Sequence, residues 1–463
     1  MPHKNEWMTY KEWSKRFDSD IVYIETLGQS IVILNSVKAA SDLLDKRSSI
    51  YSDRPTITAL SDFVGFGWTT GLLPYGKRWR KHRKELALTL GAGASRRYEP
   101  LEMKATYRLL RNFLQTPDAF SQHLRHMAGQ VTLSISYGID IQPCDDPWIE
   151  LAERCLKAFD VSTQLSGRIF DLLPFLKRMP WWFPGAGFKR NVPRFARCVA
   201  DAVEKPYAAT EAAVAGGHAS SSVAHAIITD QNSLPASKRD TVLAKEVSAN
   251  IFLAGADTTN SVLMTFMLAM VLNPDAQKKA QAEIDTVVGT ARLPDFEDQE
   301  SLPYVNALVK EVFRWHPVTP LGVPHRLMTD DIYDGFFIPG GAVVIANTWA
   351  ILHDEVEYPD HGKFKPERFV DEKARFPDAS FGFGRRVCPG QLVARSAVWM
   401  TLVSVLATFN ISHAVDENGH EVEVSEQYSS GMISYPPPFR CMIKPRSEVA
   451  SALIKATKEV DDV

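Results

Sequence analysis

The stretch FGFGRRVCPG, residues 381–390, sets Cys388 among glycines and arginines just ahead of an apolar helix. A sulfur at a helix N-terminus meets unpaired N–H groups and the positive end of the helix dipole. Arg385 and Arg386 add positive charge, so Cys388 is expected as thiolate at neutral pH. Gly382, Gly384 and Gly390 let the backbone bend and a flat object come close. Three chemistries fit such a thiol. A buried cysteine serving as a small hydrophobe leaves the arginines and glycines unused. A nucleophilic thiolate of the phosphatase kind needs its arginine nearer than Arg395 stands, and no acid–His pair supports it. An axial ligand to haem iron uses every part, with glycines clearing room for the macrocycle and an arginine meeting a propionate.

Phe381, Gly384, Arg386, Cys388 and Gly390 match the FxxGxRxCxG loop, and on these residues the chain resembles the cytochrome P-450 family of haem-thiolate monooxygenases. Other segments carry the same resemblance. AGADTTN, residues 254–260, is similar to the family's oxygen-activating (A/G)GxDTT motif. Splitting dioxygen takes two protons delivered into a dry pocket, and an acid–alcohol pair on a helix, Asp257 and Thr258, can relay them. A helix kink with Thr hydroxyls bonding back to carbonyls would explain Thr258 and Gly255, but not a buried acid beside them. In KEVFRWHP, Glu311 and Arg314 share a helix face at i,i+3, by itself an ordinary surface pair. The resemblance makes them the family's ExxR, completed by Arg368 of PERF, residues 366–369, in a structural role that holds the haem-binding loop. It also implies propionate contacts from Trp79 and Arg83 of a WxxxR helix, and from His325 in VPHR, with Arg326 beside it as a competing assignment.

The implied cofactor is haem b, held by Cys388. The implied reaction inserts one oxygen atom of O2 into a small to medium hydrophobic or aromatic substrate, as fungal members do in secondary metabolism or xenobiotic oxidation. By position in the family, Phe63, Phe66, Trp68, Phe252, Ala256, Val318, Leu321 and Met432 are expected to line the substrate pocket. The resemblance implies electrons from an NADPH-cytochrome P-450 reductase, with cytochrome b5 as a second donor. The basic run KRWRKHRK would steer such an acidic partner. It holds one aromatic and accompanies no nucleic-acid-binding signature. A haem-thiolate isomerase or peroxygenase, or a haem sensor without turnover, would use the same fold but would not need the Asp257–Thr258 pair.

These groups must be positioned mainly by helices. The expectation is a mainly α protein with a small β lobe, the cytochrome P-450 fold, as one domain over residues 1–463 with a long central helix over the haem. Strand patterns are confined to residues 21–26 and 30–35 around Leu27-Gly28, to 331–347 around Pro339-Gly340-Gly341, and to a pair flanking 428–438. Helices are predicted over 10–17, 273–288 with Asn273 as cap and Gly289 as stop, 302–315 and 391–409. Residues 213–222 read as a loop.

The composition fits this reading. With 463 residues and 45% hydrophobic, the chain can bury a large core, and 52 Lys+Arg against 55 Asp+Glu gives −3, with no basic excess for nucleic acid. Five scattered cysteines without a CxxC read as reduced thiols. Residues 251–271 are long enough to cross a bilayer. Their aspartate would cost about 2.5–3.5 kcal/mol there, so the helix reads as a core helix. The start, MPHKNEWMTYKEW, is neither signal peptide nor anchor, and its abrupt entry into a helix predicts a missing N-terminal piece. The family's microsomal members imply the cytoplasmic face of the endoplasmic reticulum. The aromatic stretch 172–188 is a candidate for peripheral membrane contact.

Overall fold

The computed structural model describes residues 4–142, 145–163, 170–171, 174–180, 187–371 and 373–460. The helices that frame the site are α1 (Glu6–Phe17), α2 (Lys77–Leu90), α3 (Glu99–Gln115), α4 (Phe120–Tyr137), α5 (Pro147–Thr163), α6 (Gly187–Ala215), α7 (Thr241–Leu272), α8 (Pro274–Val287), α9 (Pro303–Trp315) and α10 (Gln391–Thr408). The strands are β1 (Ile21–Thr26), β2 (Gln29–Leu34), β3 (His325–Arg326), β4 (Asp331–Tyr333), β5 (Phe336–Ile338), β6 (Val343–Ala346), β7 (Phe409–His413) and β8 (Cys441–Pro445). The protein is mainly α with a small β lobe, as expected.

The 32-residue helix α7 is the axis of the molecule. Asp240 starts it by accepting from the Leu243 N–H at 3.2 Å. It is apolar on nearly every side, and such a helix must be covered on nearly every side. The main apolar cluster joins it to α3, α4, α9 and α10. Gly255 allows its closest packing, since a Cβ there would stand 2.5 Å from Thr132 Cγ2 on α4. Both α7 and α10 are long and apolar enough to cross a membrane, and both are mostly buried within the protein.

The larger sheet runs β1-β2-β6-β3, with β1–β2 an antiparallel hairpin and β2–β6 parallel. A second apolar cluster, including Val32, Leu34, Leu43 and Val344, lies against it. Two local expectations need correction. The hairpin in 331–347 turns at Asp334-Gly335, not at the Pro-Gly-Gly: both residues have positive φ, 51° and 80°, the geometry a two-residue hairpin demands. The segment after Pro339 leaves that hairpin and joins β2 and β3 as β6. Asn273 makes no cap for α8, because its side-chain amide donates to the Ala269 carbonyl at 3.0 Å and closes α7. The last strand pair joins β7 to β8.

Candidate active site

The cysteine loop is pinned before it reaches the helix. The Cys388 N–H donates to the Phe381 carbonyl at 2.9 Å. Phe381 packs on Phe313 and Phe376, and the Arg395 guanidinium lies 3.6 Å from the Phe376 ring centre. Gly384, at φ 56°, is required by the neighbouring chain, since a Cβ there would stand 2.0 Å from the Leu44 carbonyl oxygen. Gly382, Gly390 and Cys388 form one wall of a cavity of about 340 Å³. Burial pushes the Cys388 thiol up, against the Gly390 N–H, Arg83 and Arg395, which pull it down. This corrects the expectation of a thiolate made by the loop's own charges. Arg385 points to the Tyr75 hydroxyl, and Arg386 is spent on carbonyls. A coordinated cation would deprotonate the thiol outright.

One end of the cavity is cationic. Arg386 donates to the carbonyls of Ser52 (2.7 Å), Thr70 (3.1 Å) and Leu73 (2.8 Å), with its guanidinium 4.6 Å from the Trp79 ring centre. Buried Arg54 donates to the carbonyls of Gly71, Val323 and Pro324. Arg83 donates to the Val387 carbonyl at 2.7 Å. Burial lowers all three guanidinium pKa values, Arg386 to about 10, and Arg54 is lowered further by Arg386. His325 lines the same space, its Nδ1 bonded to the Tyr51 carbonyl at 2.8 Å, while Arg326 is exposed near Asp53. Burial and then Arg54 drive His325 well down, so it is neutral. The Trp79 indole N–H is buried on the cavity wall with no partner.

Three arginines on which Asp53 is the one acidic side chain acting, on Arg54 and Arg386 and from beside Arg326, stand next to an orphaned donor, and this excess of positive charge calls for a buried anion. Among the described residues no three His, Cys, Asp or Glu side chains gather to hold a metal by themselves. A planar group that brings its own metal donors, accepts one thiolate and carries carboxylates fits this donor set, and haem is such a group.

Across the cavity, α7 presents Asn250, Ile251, Ala254, Gly255, Thr258, Thr259 and Val262, a stripe at helical spacing. The Thr258 hydroxyl donates to the Ala254 carbonyl at 2.8 Å. Asp257 falls at the flank of this stripe and off the cavity wall. Its Oδ1 accepts from the Tyr435 hydroxyl. Burial raises the Asp257 pKa, and the Tyr435 hydrogen bond and Arg125 pull it back. The structure thus brings Cys388 and Thr258 to one space and keeps Asp257 one helical position away.

Glu311 and Arg314 are both fully buried, joined by two hydrogen bonds of 2.7 and 2.8 Å. Arg368 reaches the same carboxylate at 3.3 Å, and the Lys365 N–H donates to it at 2.8 Å. Arg314 also donates to the carbonyls of Leu352, His361 and Lys363. One carboxylate therefore ties α9 to the irregular chain between 352 and 368, which leads into the cysteine loop.

Of the eight expected pocket residues, the structure puts Val318 alone on the cavity wall. Phe252 and Ala256 occupy the opposite face of α7, where Phe252 packs edge-on to Tyr137. Phe63 packs on Phe170 and Phe188, and Phe66 on Phe159. Trp68 and Leu321 pack on apolar clusters, and Met432 sits half-buried in the loop after Gly431. In the stretch 172–188, residues 172–173 and 181–186 lie outside the described residues. Arg54, Thr70, Thr319 and His316, which is stacked 3.5 Å from Tyr428, line the cavity without having been expected there. Arg54 carries no local signal: it faces the cavity because the bridge from Asp53 to Arg326 draws it under β3.

Comparison with known proteins agrees with this geometry. The family model for cytochrome P-450 matches residues 2–438. The chain is 42% identical to cytochrome P-450 monooxygenase COX2 of Coprinopsis cinerea, over 99% of this chain and 89% of that protein. It is 40% identical to monooxygenase ple1 of Rhodocybe pseudopiperita, over 98% and 88%. It is 36% identical to tryptamine 4-monooxygenase of Psilocybe cyanescens, over 97% and 90%.

Proposed function

The chain belongs to the cytochrome P-450 family, whose members are haem monooxygenases using O2 and a redox partner, and on that premise we propose that its cavity oxidises a small to medium hydrophobic or aromatic substrate in fungal secondary metabolism. The observation that carries this is the shared cavity of Cys388, Thr258 and the cluster Arg54, Trp79, His325 and Arg386. Cys388 would hold the iron, and Arg54, Trp79, Arg83, His325 and Arg386 would face the propionates. When bound, haem supplies the activation of dioxygen and the oxidation of carbon, with the thiolate favouring O–O cleavage.

The chain's own residues do the rest. The loop from Phe381 to Gly390 holds the sulfur in place from behind, and the Glu311–Arg314–Arg368 knot holds the loop. His325 is held neutral by burial and Arg54, with Nδ1 committed to Tyr51, so facing a carboxylate through Nε2 would require it to gain a proton. Ile251, Val262, Val318 and Val323 give the substrate space an apolar wall that excludes water and offers no fixed charge. Thr258 Oγ1 presents a hydroxyl at that wall, and Asp257, made less acidic by burial, is the adjacent proton source.

Exposed Lys77, Arg80 and Lys84 of α2 support docking of an acidic electron donor, an NADPH-dependent flavoprotein reductase. A microsomal setting belongs to the same proposal, and the fungal monooxygenase relatives support that reading. The test is the haem-loaded protein. Cys388→Ser abolishes the thiolate-type spectrum of the reduced carbon-monoxide complex, and retention of that spectrum would overturn the assignment. Thr258→Ala binds haem normally but diverts reducing equivalents to hydrogen peroxide, and undiminished coupling to product would remove Thr258 from the relay.

A further inference from the structure

Two cysteines off the cavity wall face each other across a helix pair. Cys155 on α5 is fully buried, and Cys198 on α6 is half-buried. Their sulfurs lie 2.9 Å apart, and the Cys155 thiol also lies 3.2 Å from the Cys198 carbonyl. Structural cysteines packed as small hydrophobes need no such pairing, as buried Cys441 illustrates. The two sulfurs need approach by only about 1 Å to reach bonding distance, and helices already in contact can supply that. The Cys155 S–H and then Arg154, next to Cys155, favour the Cys198 thiolate, against burial and Asp201. The more accessible sulfur is thus the more nucleophilic one, and its resolving partner waits in contact.

We propose that Cys155 and Cys198 form a reversible peroxide-sensitive disulfide that locks α5 to α6. The oxidant is a hydroperoxide. Cys198 thiolate attacks one peroxide oxygen, the O–O bond breaks, and hydroxide leaves, giving a sulfenic acid. The Cys155 sulfur then attacks Cys198, the S–O bond breaks, and water departs with the Cys155 proton. Two thiols lose two electrons, and one hydrogen peroxide becomes two waters. In a reducing compartment such a bond is transient, as redox-sensing disulfides are. The cross-link closes the chain between the two helices and fixes α5, whose Asp160 acts on the charge of Asp257. The chemistry of the pair is independent of the oxidation proposed for the cavity.

The test treats the haem-loaded protein with hydrogen peroxide at neutral pH, then alkylates free thiols and maps peptides without reduction. The expected result is a joined 155–198 peptide pair lighter by two hydrogens and restored by dithiothreitol. Its formation should outpace modification of Cys441 by about tenfold or more. In Cys198→Ser the pair is absent and Cys155 remains a thiol. Wild-type protein unfolded in urea serves as a second reference, where the 155–198 preference should vanish. Oxidation of Cys198 to sulfinate with Cys155 still free would overturn the proposal, as would linkage as common in urea as in the folded protein.

Discussion

The Tyr435 hydroxyl donates to the carboxylate of Asp257 and lies 2.9 Å from the same residue's backbone oxygen, so the last loop of the chain holds the acid of the central helix. Asp257 is therefore under two opposing influences: burial favours its protonated form, and Tyr435 favours its charged form. Removing the hydroxyl leaves burial less opposed. In Tyr435→Phe the carboxyl stays protonated to higher pH. A hydrogen bond to a charged group is worth about 1.5–3 kcal/mol, or about one to two pH units. The expected outcome is unchanged haem content together with an upward shift in the pH dependence of product coupling. Coupling profiles of variant and wild type, measured as product per NADPH across pH, check this; superimposable curves would show that Tyr435 does not act through Asp257.

Trp79 offers a separable test of the cavity's anion site. Its indole N–H is orphaned in the protein itself, so Trp79→Phe removes no protein hydrogen bond. Phe keeps an aromatic face for Arg386 but fills less space, so the apo-protein should lose on the order of 1 kcal/mol in urea, a cost read separately from haem release. If the donor meets a propionate, its loss costs about 1 kcal/mol, and haem transfer to an acceptor protein accelerates about fivefold. Equal transfer rates would leave the indole without a ligand role.

Burial decides which ion pairs matter. Glu311 and Arg314 have no exposed surface, and Arg368 is nearly buried. Glu311→Gln leaves two buried guanidinium groups with no carboxylate between them, a loss of about 3–5 kcal/mol. Urea denaturation should show it, and haem content should fall because the irregular chain between 352 and 368, which leads into the cysteine loop, loosens. Lys279 and Glu367 also touch, at 2.6 Å, but both are well exposed. Lys279→Ala should leave the midpoint unmoved.

What the sequence disclosed follows from how local each signal is. Cys388, Glu311–Arg314 and Asp257–Thr258 stand within a few residues of their partners, and their spacing alone put them on a loop or a helix face. The first hairpin was legible because Leu27-Gly28 sits between two alternating runs. The hairpin at Asp334-Gly335 was misplaced because a Pro-Gly-Gly nearby is a louder turn signal than Asp-Gly. Arg54 and Tyr435 were invisible, since each reaches its site through contacts with chain 269 and 178 residues away, respectively. The pocket aromatics failed for a related reason. Phe63, Phe66 and Phe252 are apolar residues near the right segments, but only the packing of α4 and α5 against α7 decides which face each takes. The charge of Cys388 depends on burial, which spacing does not report.

Glu102 gives a stability prediction unrelated to turnover. It is fully buried on α3, accepts a hydrogen bond from the Ser396 hydroxyl at 2.8 Å, and has a second oxygen without a partner. Burial, with a smaller push from Glu99, raises its carboxyl to about 8. The folded state therefore keeps a proton that the unfolded chain gives up near 4.5. The folded form is favoured most below that unfolded value, loses stability as pH rises between the two values, and changes no further above about 8. The full loss is on the order of 5 kcal/mol at most. Glu102→Gln cannot ionise, so its stability should not share this decline, and the variant should overtake the wild type as pH rises. Urea midpoints of both proteins at about pH 5, 7 and 9 test it, because the linkage requires the two curves to diverge. If they run parallel, the carboxyl is ionised in the folded protein and the unpartnered oxygen has found another way to be satisfied.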